Sequence, residues 1–217
     1  MLIEDKCSLS YFLLSDHFSE LSLLHKTIED LIAGEESREI DHLANFASAL
    51  PAEKRSEYWA DKHPYWWEHI IAPQFRSSFY ISLMAGVELH LGRLAQDAAT
   101  IVRAPIGPDD LKGEFYPRTR RFLALFCNFE GPSERAWERI NDFYAIRNCL
   151  VHAGGHLDDR RRSRRVRTLA SHVEGLTVTP NDQIEMEREF CHFALQECKR
   201  FLDEVWRQLG LLCERVR

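Results

Sequence analysis

The chain has 217 residues, 45% of them hydrophobic, including 13 Phe and 5 Trp. That supply is enough for one packed domain, or one domain with an extension, and it excludes global disorder. A formal net charge of −6 argues against a protein that coats nucleic acid indiscriminately.

No apolar run reaches the roughly 18 residues of a membrane span, so no membrane partner is expected. The opening MLIEDKCSLSYFLL has acids near its start and does not read as a secretory signal, which makes a cytoplasmic chain the expectation. Cys7, Cys127, Cys149, Cys191, Cys198 and Cys213 are scattered without a Cys-x-x-Cys pair. They read as small core residues and free thiols in a reducing compartment.

Helical periodicity dominates from the start. Tyr11, Leu14, Phe18, Leu21, Leu24, Ile28 and Leu31 recur every three or four residues, with Gly34 as the expected stop. A shorter helix is expected around Ile40, Leu43 and Ala47, ended by Pro51. His63 to Pro73 (HPYWWEHIIAP) is aromatic and fenced by prolines, and reads as a packed connector. Tyr65, Trp66 and Trp67 are accordingly expected in the core rather than as a platform for stacked bases. Residues 1–74 then form an N-terminal helical extension and 75–217 the main domain.

Ser77 to Val102 carries Leu83, Val87, Leu91, Leu94 and Ala98 on one long helix, followed by the loop APIGPDD. Tyr116 to Phe129 is a shorter, very apolar helix closed by Gly131-Pro132. Pro132-Ser133 opens the next helix, with Trp137, Ile140, Tyr144 and Val151 on its inner stripe and Gly154-Gly155 as its stop. Val173 to Met186 alternates apolar and polar residues around Pro-Asn-Asp, which predicts a small hairpin. Phe190, Ala194, Cys198, Phe201, Val205, Leu209 and Leu212 mark a last helix. The expected class is all-α, a helical bundle with an N-terminal helical extension and one small β-hairpin before the last helix.

The segment with chemistry in it is WERINDFYAIRNCLVHAGG, Trp137 to Gly155. It holds Arg147 and Asn148, with His152 four residues beyond Asn148. Cleavage of RNA by its own 2′-OH needs a proton acceptor, a proton donor and a cation near the phosphorane. A histidine, with an ordinary pKa near about 6.5, serves at either proton step. An arginine offers a permanently charged fork matched to phosphate oxygens, so no metal or cofactor is required. Five residues rotate an α-helix by about 140°, so Arg147 and His152 do not share a face, whereas Asn148 and His152 do. Arg147 continues the inner stripe and needs a polar cavity or a carboxylate there. Glu88, on one stripe with Met84, Leu91 and Ala95, is the candidate.

Here the sequence resembles the HEPN superfamily, whose signature is an arginine, often followed by Asn, and a histidine four to six residues on. The resemblance covers roughly residues 75 to 212. The family's acidic residue on an upstream helix would be Glu88, its Lys-Gly turn Lys112-Gly113, and its apolar helix Phe122 to Phe126. Its Trp-led motif helix would begin at Trp137, and its final long helix would be Glu187 to Leu212.

The resemblance implies a HEPN-type bundle and a metal-independent endoribonuclease cutting single-stranded or looped RNA, with 5′-OH and 2′,3′-cyclic phosphate products. Arg147 and His152 would be catalytic, Asn148 would orient the histidine or the phosphate, and Glu88 would position Arg147. It implies a homodimer with two motifs lining one cleft. It also implies a role as a toxin or antiviral-defence effector, with an antitoxin or regulatory protein as a further partner. The rival is a HEPN-fold module that binds RNA or a protein without cutting. A toxin modified on a tyrosine two residues past the histidine is disfavoured, because position 154 is glycine.

Blander readings stand beside these. Arg147 and Glu88 also read as a structural ion pair, which is compatible with catalysis, and His152 as a cap on carbonyls at a helix C-terminus, though the surrounding pattern favours catalysis. The run RRRSRRVR (Arg160, Arg161, Arg162, Arg164, Arg165 and Arg167) is either a solvated face or a docking strip for RNA phosphates. Cys149, His152 and His156 have helical spacing, but the glycines interrupt it and no fourth ligand is placed, so no metal is expected.

Overall fold

The computed structural model describes residues 3–62, 66–157 and 161–216, with the side chains of 3–8, 60, 68, 161 and 162 outside the description. Seven α-helices and one two-stranded sheet follow one another along these residues. They are α1 (Ile3–Ser48), α2 (Ala52–Lys62), α3 (Ala72–Val102), α4 (Phe115–Cys127), α5 (Glu134–Ala153), α6 (Arg161–Ala170) and α7 (Arg188–Val216). Strands β1 (Leu176–Val178) and β2 (Ile184–Met186) pair antiparallel, Thr177 opposite Glu185, as the alternation around Pro-Asn-Asp predicts. The class is all-α. No helix is long and apolar enough to cross a membrane among the described residues.

Helix α3 is the centre. From Ser78 to Thr100 its exposed positions are Ser78, Ser82, Ala85, Leu89, Arg93, Gln96 and Thr100, a single stripe at spacings of three and four. The rest of its circumference packs against α1, α4, α5 and α7. Such a helix is apolar nearly all round because it is covered nearly all round. Helix α7 turns Phe190, Ala194, Cys198, Phe201, Val205, Leu209 and Leu212 inward, and all seven are buried, as their spacing predicts. Pro73 sits in the first turn of α3, where the missing N–H is no loss.

Several elements differ from the sequence expectation. Helix α1 runs unbroken through Gly34, whose surroundings are open, and Glu35 and Arg38 pair across that turn. A single helical glycine costs only about 1 kcal/mol, too little to stop a helix that continues on both sides. The inner stripe of α1 is Leu14, Phe18, Leu21, His25, Glu29 and Ile32, while Leu24 and Leu31 are exposed. Leu14, Phe18 and Leu21 belong to the same core as α3 and α7, and Tyr11 stacks on Trp206 at 4.0 Å. Glu29 is tolerated at 3% exposure because the Arg76 fork meets both its oxygens, Nε to Oε1 and Nη2 to Oε2, each at 2.8 Å.

The aromatic connector is not core at Trp66, which is 64% exposed, and Trp67 is half-buried; His63, Pro64 and Tyr65 lie outside the described residues. A π-helical turn, Trp67–Ile71, leads directly into α3. Helix α4 ends at Asn128 in the left-handed conformation (φ 52°), before the Gly131-Pro132 pair expected to stop it. The arginine run forms a helix, α6, that hydrophobic spacing did not announce. Among its described side chains, Ser163 and Val166 are buried, one turn apart.

His90, on α3, is 2% exposed, and its Nε2 has no hydrogen-bond partner among the described residues. Its ring meets that of His17 edge-on at 5.1 Å. Burial pushes the imidazole down to about 4, with His17 and Arg93 adding to the effect. In the unfolded chain the same group titrates near about 6.5. The stability tied to neutral His90 is therefore complete above that value and lost as pH falls toward 4, by about 2–4 kcal/mol. His25, lowered by its own burial, acts in the same direction. Denaturant unfolding of His90→Leu at several pH values should show a shallower loss of stability over this window; an unchanged slope would remove His90 as its source.

Candidate active site

Ser133 caps the start of α5, its Oγ accepting from Ala136 N–H at 3.3 Å. Trp137, Ile140, Phe143 and Ile146 then fasten the helix to the core, with Trp137 edge-on against Phe201 at 4.8 Å. The helix ends at Gly154 (φ 58°) and Gly155 (φ 86°), and Gly155 N–H returns to Cys149 O at 3.1 Å. The chain beyond is stitched to the hairpin. Ile184 N–H donates to Gly155 O at 2.9 Å, Leu157 N–H to Asp182 O at 2.8 Å, and Gln183 Nε2 to Gly154 O at 2.8 Å. Cys149 Sγ adds a bond to His156 O at 3.1 Å. The hairpin thus fixes where the motif helix stops.

Within this frame the four singled-out residues take different places. Asn148 is buried at 7% exposure, and its Oδ1 accepts from Arg147 Nη1 at 3.0 Å. Arg147 is half-buried beside the Tyr144 ring, 6.0 Å from its centroid, and its Nε is buried without a hydrogen-bond partner among the described residues. Glu88 is half-buried on α3; burial raises its carboxyl above the usual range, and the Arg147 charge opposes that rise. Among the described residues no ion pair joins Glu88 to Arg147, and the hydrogen bond of the guanidinium goes to the neighbouring Asn148 amide. His152 lies exposed in the last turn of α5.

The structure therefore brings Arg147, Asn148 and Glu88 into one neighbourhood and leaves exposed His152 outside it, with no hydrogen bond between His152 and Arg147 in one chain. Val151, expected on the inner stripe, is 42% exposed, because the stripe rotates out of the core as the helix ends. Two residues here were not singled out by sequence. Tyr116 of α4 and Tyr144 of α5 have ring centroids 5.0 Å apart, and Tyr144 lies against Arg147. A tyrosine among the Phe and Leu of an apolar helix was the available signal, since its hydroxyl needs a partner wherever the ring is buried.

The arginine run divides. Arg165 pairs with Asp142 at 2.5 Å and Arg167 with Asp182 at 2.8 Å, so these two brace α6 against α5 and the hairpin. Arg164 is exposed. Arg160 lies outside the described residues, as do the side chains of Arg161 and Arg162. Among the described residues, no cluster of three His, Cys, Asp or Glu is arranged to hold a metal ion. No protein-family model, curated protein or solved structure matches the chain.

The glycine stop makes a graded prediction. A Cβ at Gly154 would meet open space and bear only the left-handed backbone, whereas one at Gly155 would also lie 2.7 Å from Gln183 Nε2. Gly154→Ala should cost about 1 kcal/mol and Gly155→Ala more, because the Gln183 bond is displaced as well. Equal loss of thermal stability in the two variants would contradict the stitched turn.

Proposed function

We propose that the protein is a metal-independent endoribonuclease of HEPN type that cleaves single-stranded or looped RNA through the RNA's own 2′-OH. The observation that carries this reading is the end of α5. A half-buried arginine is steadied by a buried asparagine one residue on, and an exposed histidine follows on the last turn before a rigid stop. Arg147 would meet the non-bridging oxygens of the scissile phosphate. His152 would take the 2′-OH proton as the 2′-oxygen bonds to phosphorus, or deliver a proton to the departing 5′-oxygen. The products are a 2′,3′-cyclic phosphate and a 5′-OH. Asn148 holds the arginine rather than the histidine, and exposed Arg164 extends the positive track toward neighbouring phosphates.

A homodimer completes the site in this reading. The last turn of α5, Val151 to Ala153, and Gly154 are all exposed. Two such turns face to face would set the histidine of one copy beside the arginine of the other. An enzyme of this kind suits a toxin or antiviral-defence effector, held in check by an antitoxin or regulatory protein. The separation of Arg147 from His152 within one chain is what favours the second reading, a HEPN-fold module that binds RNA without cutting.

Incubation of the purified protein with end-labelled RNA in excess EDTA tests the choice. Cleavage should persist, and Arg147→Ala and His152→Ala should each slow it by about 10²-fold or more. His152 is exposed, so its variant should fold normally. Activity lost in chelator and restored by Mg²⁺, or full turnover by folded His152→Ala, would overturn the proposal.

A further inference from the structure

Three side chains around Arg147 come from three helices. Tyr116, on α4, is wholly buried, yet its hydroxyl has no hydrogen-bond partner among the described residues. Arg147 Nε, on α5, is buried in the same condition. Tyr144 brings the two together, its ring 5.0 Å from that of Tyr116 and 6.0 Å from the Arg147 guanidinium carbon. Glu88, half-buried on α3, acts electrostatically on both Tyr116 and Arg147 and makes no hydrogen bond of its own among the described residues. Two buried donors thus share a neighbourhood with a carboxylate that has two oxygens to offer. Leaving the donors unmet is unfavourable, and a carboxylate has an acceptor oxygen for each.

We infer that Tyr116 is a positioning residue for Arg147: its hydroxyl donates to one Glu88 oxygen while Arg147 Nε donates to the other. This clasp holds the guanidinium by its Nε side, and Asn148 steadies Nη1. The remaining Nη edge is left for a phosphate oxygen, in the fork geometry that such recognition uses. Burial and the Glu88 charge push the Tyr116 phenol well above its ordinary range, so it remains a donor throughout neutral pH. The inference rests on the reading of Arg147 as the phosphate-holding cation. The ionisable groups whose charges act on Tyr116 are Glu88, Cys198, Tyr144 and Arg147.

Two measurements on the full chain separate this inference from the nuclease reading. The first is RNA cleavage in EDTA by wild type and Tyr116→Phe, which keeps the ring and its edge-on contacts with Phe115 and Tyr144. The variant should lose about tenfold or more in kcat with KM unchanged, since a displaced guanidinium fails the transition state more than the ground state. The acid limb of its kcat profile should move to higher pH, because Glu88 loses a donor to its ionised form. The second is unfolding of wild type, Tyr116→Phe, Glu88→Gln and the double variant, where the second substitution should add little to the loss caused by the first. If wild type leaves RNA intact, the unfolding cycle alone decides the clasp, and coupled losses sustain it while retiring the nuclease reading. Additive losses, or a Tyr116→Phe enzyme with unchanged kcat and acid limb, would overturn the clasp and leave the nuclease reading standing.

Discussion

Helix α3 hides all but one stripe of its surface, and that burial constrains every other element. A helix apolar nearly all round cannot be satisfied by a single neighbour, so α1, α4, α5 and α7 must close on it together. The close packing reaches polar groups as well. Tyr80, wholly buried on α3, donates its hydroxyl to Phe143 O of α5 at 3.1 Å, tying the motif helix to the centre. Glu29 and Arg76 do the same for α1 through a bidentate pair. A buried pair of this kind adds little net stability but strongly disfavours arrangements in which either partner loses the other. It specifies how α1 lies on the bundle.

The same packing explains why charge gathers at the end of α5. While the helix faces α3 and α7 its inner residues are Trp137, Ile140, Phe143 and Ile146. Past Ile146 the core thins, and the next inward positions are Arg147, half-buried, and Asn148, buried. A guanidinium can occupy that boundary because Asn148 supplies an acceptor and Tyr144 supplies a ring face. One turn further the helix is outside the core, stopped by two left-handed glycines and held by the hairpin. Charge thus sits where the interior gives way to solvent, next to a backbone stop that cannot drift.

Much of this was legible in the sequence, and the failures have physical causes. Long stripes on α3 and α7 were readable because deep burial imposes a period on residue type. Gly154-Gly155 was readable as a stop because both residues take positive φ. Gly34 has the same residue type without that backbone, and it misled. The α1 stripe was misread because Glu29 and His25 look like surface residues unless Arg76 is known to lie opposite. Helix α6 was invisible because its arginines mask Val166 and Ser163, and its bracing acids, Asp142 and Asp182, lie far off in sequence. Within the site, sequence spacing singled out Arg147, Asn148, His152 and Glu88, but could not show that the Asn148 amide accepts from the arginine. Nor could it place Tyr116 beside them, since that neighbourhood is made by three helices meeting.

The proposed function has the RNA's own 2′-oxygen attack the phosphate at the end of α5. It is tested most directly with a short RNA carrying one preferred cleavage position, compared with the same strand bearing a single 2′-deoxynucleotide immediately 5′ of that phosphate. Cutting should vanish at the modified position while continuing at other sites, and the unmodified strand should yield a 2′,3′-cyclic phosphate and a 5′-OH. Undiminished cutting at the deoxy position, or a 3′-OH with a 5′-phosphate as products, would contradict it.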